Sequence, residues 1–335
     1  MLNIRLFKSL KQLAVVSAFC ILARSGRAQL VPRVVSSADN TGTSRSQGVK
    51  ESWTSLALAK DDLSPARALT AFVTENPRYT VELLQVQWRS GDPIDLYVMK
   101  PKGVKKPPVI LYLYGYPTDT DIFRSDEYEE LVTRNGFAAV GFVSALTGHR
   151  YHDRGMKEWF VSELQESLAT SVHDVQMVLT YLASRGDLDS NRIGMFAQGS
   201  GATIAIMASA VDSRVKVLEA LDPWGDWPTW LATSPFVPDD ERAQYVTTEY
   251  LQKVAPLEPL NWLPRIQAAK FRLDTQLYET ITPSAAKEKL RRAVPGGASV
   301  MLYRSGEEFK AAFQDGKNLE WIRQELGSLP EDVAP

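Results

Sequence analysis

Apolar and polar positions along residues 79–326 alternate between spacings typical of strands and of helices. Segments 79–89 and 94–101 alternate in type on either side of the turn SGDP, which predicts two antiparallel strands joined as a hairpin. Continuous apolar runs follow, and such runs are typical of strands buried on both faces of a parallel sheet. Between them, segments such as 168–186 have apolar residues at helical spacing and end on an arginine and a glycine.

The order of these segments predicts an α/β domain, with one mostly parallel eight-stranded sheet covered by helices on both faces. Residues 227–269 are rich in proline and aromatic side chains with little strand character, and they predict an inserted cap. The predicted strands are 79–89, 94–101, 107–117, 137–145, 191–199, one within 215–227, 270–279 and 298–306, and the predicted helices are 127–136, 168–186, 283–294 and a last helix through Trp321.

The first 28 residues have the composition of an export signal. Basic residues precede an apolar run at 13–23, and Gly26 and Ala28 match the small-x-small cleavage rule, which predicts a cut after Ala28. A transmembrane anchor is the alternative, although a bilayer span needs roughly 20 apolar residues, and this run is shorter. The polar, aperiodic residues 29–52 predict a flexible leader, and the folded domain is expected over 53–335.

Composition excludes some functions. The chain has 38 lysines and arginines against 40 aspartates and glutamates, so it has no basic excess for binding a nucleic-acid backbone. Cys20 is the only cysteine and lies in the predicted signal, so the mature chain is expected to have no disulfide and no cysteine-bound metal. We therefore expect an exported protein, periplasmic or extracellular, with no nucleic-acid partner and no membrane span after cleavage.

Residues 191–210, NRIGMFAQGSGATIAIMASA, have the pattern of a strand, a tight glycine turn and a helix. A serine nucleophile on such a strained turn needs small residues two positions before it and two after it, because the strand and helix pass close together there. Ala197 and Gly201 are the correctly spaced small pair, and the residue midway between them is Gly199. If Ser200 were the nucleophile, Gln198 would have to fit where only a small residue is tolerated.

This turn, the run DVQMVLTYLASRGDLDSNRIGMF that leads into it and the segment ITPSAAKEKL together resemble the α/β-hydrolase superfamily. The most similar branch contains acetyl xylan esterases, dienelactone hydrolases and prolyl oligopeptidases, and the resemblance covers roughly residues 79–326. It implies ester-like or peptide-like substrates and no cofactor. It also implies that Gly199 stands at the nucleophile position and that Tyr116, Ser200 and Gly201 supply the backbone donors of an oxyanion or anion site.

The same resemblance implies where the other two members of a catalytic triad should stand. Glu279, four residues before Pro283, falls at the position of the acid, and Asp222 at the end of the preceding strand is an alternative acid. Glu307 falls where a histidine is expected, and no histidine follows His173. The sequence therefore predicts a site without a working serine triad that binds a small ligand or a partner in the old crevice.

Two alternatives remain open. His149 or His152 could serve as a displaced base for Ser200, which would make the protein an active ester or peptide hydrolase. The same pair could instead bind a metal together with carboxylates such as Glu279 or Glu307. A histidine pair in a loop with arginines on both sides more often makes hydrogen bonds, so we expect no metal. His173 is expected on a helix surface or in packing.

Three tryptophans begin the predicted cap. Trp224, Trp227 and Trp230 lie in the segment DPWGDWPTW. They could line a substrate pocket, or they could pack the cap against the sheet, because tryptophans bury large areas at such junctions.

Overall fold

The computed structural model describes residues 51–89, 92–116, 122–145 and 164–329. The predicted signal 1–28, almost all of the predicted leader and the loop that holds His149 and His152 lie outside these ranges. Within the described residues, no helix is long and apolar enough to cross a bilayer.

One mixed sheet organises the described part of the chain, and it has nine strands there. Eight of them correspond to the predicted strands, and the ninth was not predicted. The strands are β1 Arg67–Glu75, β2 Tyr79–Gln87, β3 Ile94–Pro101, β4 Pro108–Leu113, β5 Ala138–Phe142, β6 Asp189–Gln198, β7 Val215–Leu221, β8 Lys270–Gln276 and β9 Ser299–Tyr303.

The prediction of eight strands is therefore wrong by one, because it omitted β1. No residue of β1 is fully buried, so its sequence has no continuous apolar face from which a strand could be recognised. The strand forms because β2 offers it an antiparallel ladder, from Arg67 opposite Gln87 to Glu75 opposite Thr80, with one register shift between Thr70 and Phe72.

Strand order across the sheet is β1-β2-β3-β5-β4-β6-β7-β8-β9. The first three strands are antiparallel, and β3 also runs antiparallel to β5. From β5 to β9 every neighbouring pair is parallel. The carboxyl ends of β4 to β9 consequently meet at one edge of the sheet, where α/β proteins usually bind their ligands.

Helices cover both faces of the sheet, as predicted. Strand β4 shows why, because it sends Val109 and Leu111 into one buried cluster and Ile110 and Tyr112 into the other. The helices are α1 Asp126–Thr133, α2 Leu164–Ala183, α3 Ser200–Val211, α4 Trp227–Thr233, α5 Arg242–Tyr245, α6 Thr248–Val254, α7 Pro259–Trp262, α8 Ser284–Arg292, α9 Gly306–Gln314 and α10 Glu320–Gly327.

The two faces carry different helices. Residues of α2, α3 and α8 pack in the first cluster, together with the short helices α4 to α7. Residues of α1 and α10 pack in the second cluster. The segment predicted as a cap is thus a run of short helices between β7 and β8, and α7 contacts both α3 and α8.

Candidate functional site

The turn between β6 and α3 has the sharp geometry that the sequence predicts for it. Gly199 joins the two elements with φ 57° and ψ −124°, outside the regions that residues with a side chain adopt without strain. Its N–H donates to the carbonyl of Leu221 at 2.9 Å, which fixes the turn against the end of β7. Gly199 remains partly exposed, so its backbone is reachable from outside the core.

The steric requirement for a small residue falls two positions later, at Gly201. A Cβ there would lie 2.2 Å from the carbonyl oxygen of Leu113 and 2.7 Å from its carbon, which are impossible contacts. At Gly199 a Cβ would meet nothing closer than the indole nitrogen of Trp224 at 3.4 Å. Space therefore forbids a side chain at position 201, whereas at position 199 only the backbone conformation disfavours one.

Ser200 is the first residue of α3, and its side chain is fully buried. Its Oγ accepts a hydrogen bond from the backbone N–H of Tyr116 at 2.9 Å. This bond ties the chain after β4 to the start of α3. It also engages the Tyr116 N–H that the resemblance assigns to an oxyanion site.

Both candidate acids lie at the carboxyl edge, and both face one lysine. Asp222 follows β7 at φ 45°, and its carboxylate accepts from the Gln276 N–H at 3.0 Å. Lys287 of α8 places its Nζ 3.0 Å from the Glu279 carboxylate and 3.5 Å from that of Asp222. The Glu279 carboxylate also accepts from the backbone N–H groups of Ile281 and Thr282.

Burial determines the protonation of Asp222 in this cluster. Removal from water, opposed by the charge of Lys287 and reinforced by the negative charge of Glu279, raises the pKa of Asp222 to about 7. Lys287 itself is only 8% exposed and donates to the carbonyls of Gln276 and Glu279 at 2.7 Å each. Two carboxylates thus share one ammonium that already donates two of its three N–H groups to backbone carbonyls.

The loop after β9 contains no imidazole. Only Arg304 and Ser305 separate β9 from α9, and they form a capping box with Glu308. Ser305 Oγ accepts from the Glu308 N–H at 3.2 Å, and the Glu308 carboxylate accepts from the Arg304 N–H at 2.6 Å. Glu307, at the expected histidine position, is an exposed residue in the first turn of α9.

The chain has three histidines, and His149 and His152 lie outside the described residues. His173 is fully buried on α2, with Nδ1 2.7 Å from the Glu51 carboxylate. Arg89 also binds that carboxylate, at 2.7 Å through Nε. His173 is therefore a packing residue in an ion network.

The three tryptophans pack together beside the turn and are at most 2% exposed. Trp224 and Trp230 stack with ring centroids 4.9 Å apart, and Trp227 meets Trp230 edge-on at 5.8 Å. Trp227 donates its indole N–H to the Leu257 carbonyl at 3.0 Å, inside the short-helix segment. Of the three, only Trp224 reaches Gly199, so Trp227 and Trp230 stabilise the segment.

Metal ligation was the third hypothesis for this region. Among the described residues, no group of three or more histidine, cysteine, aspartate or glutamate side chains is placed to hold a metal ion. Glu279 instead binds Lys287 and its own turn, and Glu307 is exposed on α9.

Sequence reasoning missed Lys287, although the sequence carries a weak signal for it. Lysines in an amphipathic helix are usually exposed. Lys287 stands three residues before the buried Leu290, however, and residues three apart share one face of a helix. That face is directed at the sheet.

No family profile matches the chain. A 176-residue stretch is 24% identical to the Bacillus subtilis (strain 168) protein named "Putative hydrolase YtaP", and the match spans 47% of this chain and 57% of that relative.

Solved structures match over more of the chain. The acetyl xylan esterase from Paenibacillus sp. R4 superposes with a TM-score of 0.56 at 17% identity, over 78% of this chain and 92% of the esterase. The 2,6-dihydroxy-pseudo-oxynicotine hydrolase superposes with a TM-score of 0.52 at 18% identity, over 81% of this chain and 70% of that one. The fold is that of the α/β-hydrolases. At these identities the likeness establishes the fold alone, and function must be argued from the site.

The contrast between the two glycines yields a stability prediction. Gly201→Ala should lower the free energy of unfolding by about 3 kcal/mol or more, because the new Cβ overlaps a backbone carbonyl that has no alternative rotamer. Gly199→Ala, the matched control, should cost only about 1–2 kcal/mol of backbone strain. Thermal melts of the two variants measure the difference, and equal melting temperatures would show that α3 does not approach β4 this closely.

The Asp222 cluster yields a prediction about pH. The folded-state pKa of about 7 exceeds the usual value of 3.8, so the folded protein binds the Asp222 proton more tightly than the unfolded chain does. This stabilisation is complete below about pH 4 and is lost as the pH rises through about 7. Asp222→Asn, which mimics the protonated form, should therefore gain in melting temperature relative to wild type between pH 5 and pH 8.

The control for this titration is Asp240→Asn, at an exposed position of the same chain. Its melting temperature should keep a constant offset from wild type over the same pH range. If the Asp222→Asn offset were also constant, Asp222 would have the same proton affinity in the folded and unfolded states.

Proposed function

We propose that this protein is an exported α/β-hydrolase-fold protein that has lost serine hydrolysis and binds a small ligand, or an ester-like or peptide-like group, at the carboxyl edge of its sheet. One observation carries the proposal. The residue that forms the strained turn after β6, at φ 57° and ψ −124°, is Gly199, which has no atom that could attack a substrate.

The placement of Ser200 supports this proposal. A serine nucleophile needs an exposed hydroxyl and a base within hydrogen-bonding reach. The Ser200 hydroxyl is fully buried, and its oxygen accepts from the Tyr116 N–H. Its role in the proposal is to hold two segments of backbone together.

The contacts of the two candidate acids also support the proposal. In a triad the carboxylate must accept from an imidazole and orient it. Here Glu279 and Asp222 face the ammonium of Lys287 at 3.0 and 3.5 Å. The loop after β9 contributes a capping box where the imidazole would stand.

In this proposal, the groups that remain to bind a ligand are backbone groups. The partly exposed Gly199 and the start of α3 lie at the carboxyl edge, next to the Trp224 ring. Helix N-termini favour negatively charged or polarised oxygen atoms, because their N–H groups lack partners within the helix. A ligand with a carbonyl or carboxylate oxygen matches that chemistry.

An active hydrolase is the second candidate, and the solved structures named above favour it, because they are esterases and hydrolases. This candidate requires Ser200 to react with help from His149 or His152. It predicts covalent labelling of Ser200, whereas our proposal predicts none.

Fluorophosphonate labelling of the wild-type protein separates the two candidates, because only an activated serine reacts. We expect no mass shift on intact protein and negligible, non-saturable hydrolysis of p-nitrophenyl acetate. Ser200→Ala should leave any residual rate unchanged. A stoichiometric adduct mapped to Ser200, lost in a His149→Gln or His152→Gln variant, would overturn the proposal in favour of a working hydrolase.

Export is a separate proposal with its own test. The secreted or periplasmic form should begin at Gln29, since the predicted cut follows Ala28. N-terminal sequencing after expression in a bacterial host measures this. An intact Met1 on membrane-bound protein would favour the anchor interpretation instead.

A further inference from the structure

A second cluster of buried charge lies on the sheet itself, around Arg272 of β8. The Arg272 Nη2 donates to the Glu219 carboxylate of β7 at 2.6 Å and to the Asp274 carboxylate at 3.2 Å. Its Nε lies 2.8 Å from the other oxygen of Asp274. Glu219 is fully buried and Asp274 is 1% exposed.

These contacts hold the guanidinium in one orientation. Its central carbon lies 4.9 Å from the ring centroid of Trp321, which covers one face of the group. Burial and the mutual repulsion of the two carboxylates raise the pKa of Glu219, and burial raises that of Asp274 to about 6. Buried charged groups with such shifts are commoner at functional sites than in purely structural cores.

Arg272 lines a cavity of about 330 Å³ between β9 and α9. That volume is at the lower end of the range for small-molecule sites. Most of the lining is apolar, from Met301, Tyr303, Ala311 and Ala312, and Arg272 is among the lining residues. Within the described residues, no side chain or carbonyl accepts from Arg272 Nη1.

The other charged side chains at this cavity are already engaged. Lys317 pairs with Asp315 at 3.0 Å, and the Glu308 carboxylate accepts from the Arg304 N–H at 2.6 Å. Arg272 is thus a fixed donor at a cavity whose other charged side chains already have partners. Carboxylates are the acceptors that a guanidinium binds best, through charge-assisted hydrogen bonds.

We propose that the cavity between β9 and α9 binds a small organic carboxylate, whose head group accepts from Arg272 Nη1 and whose apolar body packs on Met301, Ala311 and Ala312. This site is built on β8, β9 and α9, and the proposal does not depend on what happens at the Gly199 turn.

Octanoate is the probe for this proposal, measured by isothermal titration calorimetry against octanamide, which has the same chain without the charge. We expect saturable binding of octanoate to one site and at least tenfold weaker binding of octanamide. Arg272→Lys keeps a cation beside Glu219 and Asp274 but removes the planar guanidinium with its several N–H donors. It should therefore weaken octanoate binding at least tenfold.

Because Arg272→Lys could also disturb folding, a second variant tests the cavity without touching the charges. Ala311→Leu adds bulk at an exposed helical position that lines the cavity, and Gln314→Leu adds a leucine to the same helix away from it. Ala311→Leu should abolish octanoate binding, whereas Gln314→Leu should bind as wild type. The proposal would be overturned if octanoate showed no saturable binding, or if octanoate and octanamide bound equally well. It would also be overturned if Ala311→Leu and Gln314→Leu had equal effects on octanoate binding.

Discussion

The structure of the carboxyl edge depends on one close approach, between the Cα of Gly201 and the carbonyl of Leu113. A side chain at 201 would overlap that carbonyl, so α3 can start directly behind β4 only because position 201 is glycine. Beside this approach, Ser200 Oγ lies 2.9 Å from the Tyr116 nitrogen, and the chain turns at Gly199 with a positive φ. The turn and the serine contact therefore adjoin one close steric contact.

That constraint explains how the fold accommodates a glycine at position 199, which we propose to be the nucleophile position of related hydrolases. The turn conformation strains any residue with a Cβ, and glycine relieves the strain without changing the path of the backbone. No neighbouring side chain has to shift to accommodate position 199, because even a Cβ there would lie 3.4 Å from the nearest atom, the indole nitrogen of Trp224. Residue 201 sets how closely α3 approaches β4, while residue 199 adopts the strained conformation of the turn and carries no reactive atom.

The sequence predicted those features that rest on local steric rules or on continuous apolar runs. The eight regular strands and the small pair Ala197 and Gly201 follow from such patterns. It did not predict β1, whose partly exposed residues depend on β2 for pairing, nor the burial of Lys287 against Asp222. The partner of Lys287 lies far away in the chain, which a local pattern does not encode, and the bond from Tyr116 to Ser200 was missed for the same reason. Strand β1 is next to β2 in the chain, but its mostly exposed residues give no apolar pattern from which a strand could be recognised.

In a hydrolytic site, the catalytic polar groups form their strongest interactions with the substrate in the transition state, so they are not fully paired with other groups of the protein. At this edge the described groups have instead satisfied one another. The Ser200 oxygen accepts from Tyr116, Asp222 and Glu279 bind Lys287, and Glu308 closes a capping box. We propose that these pairings remove the groups from catalysis. Arg272 differs, because its guanidinium is fixed by buried partners and the residue lines a cavity. A preorganised group without an internal partner is what a binding site requires.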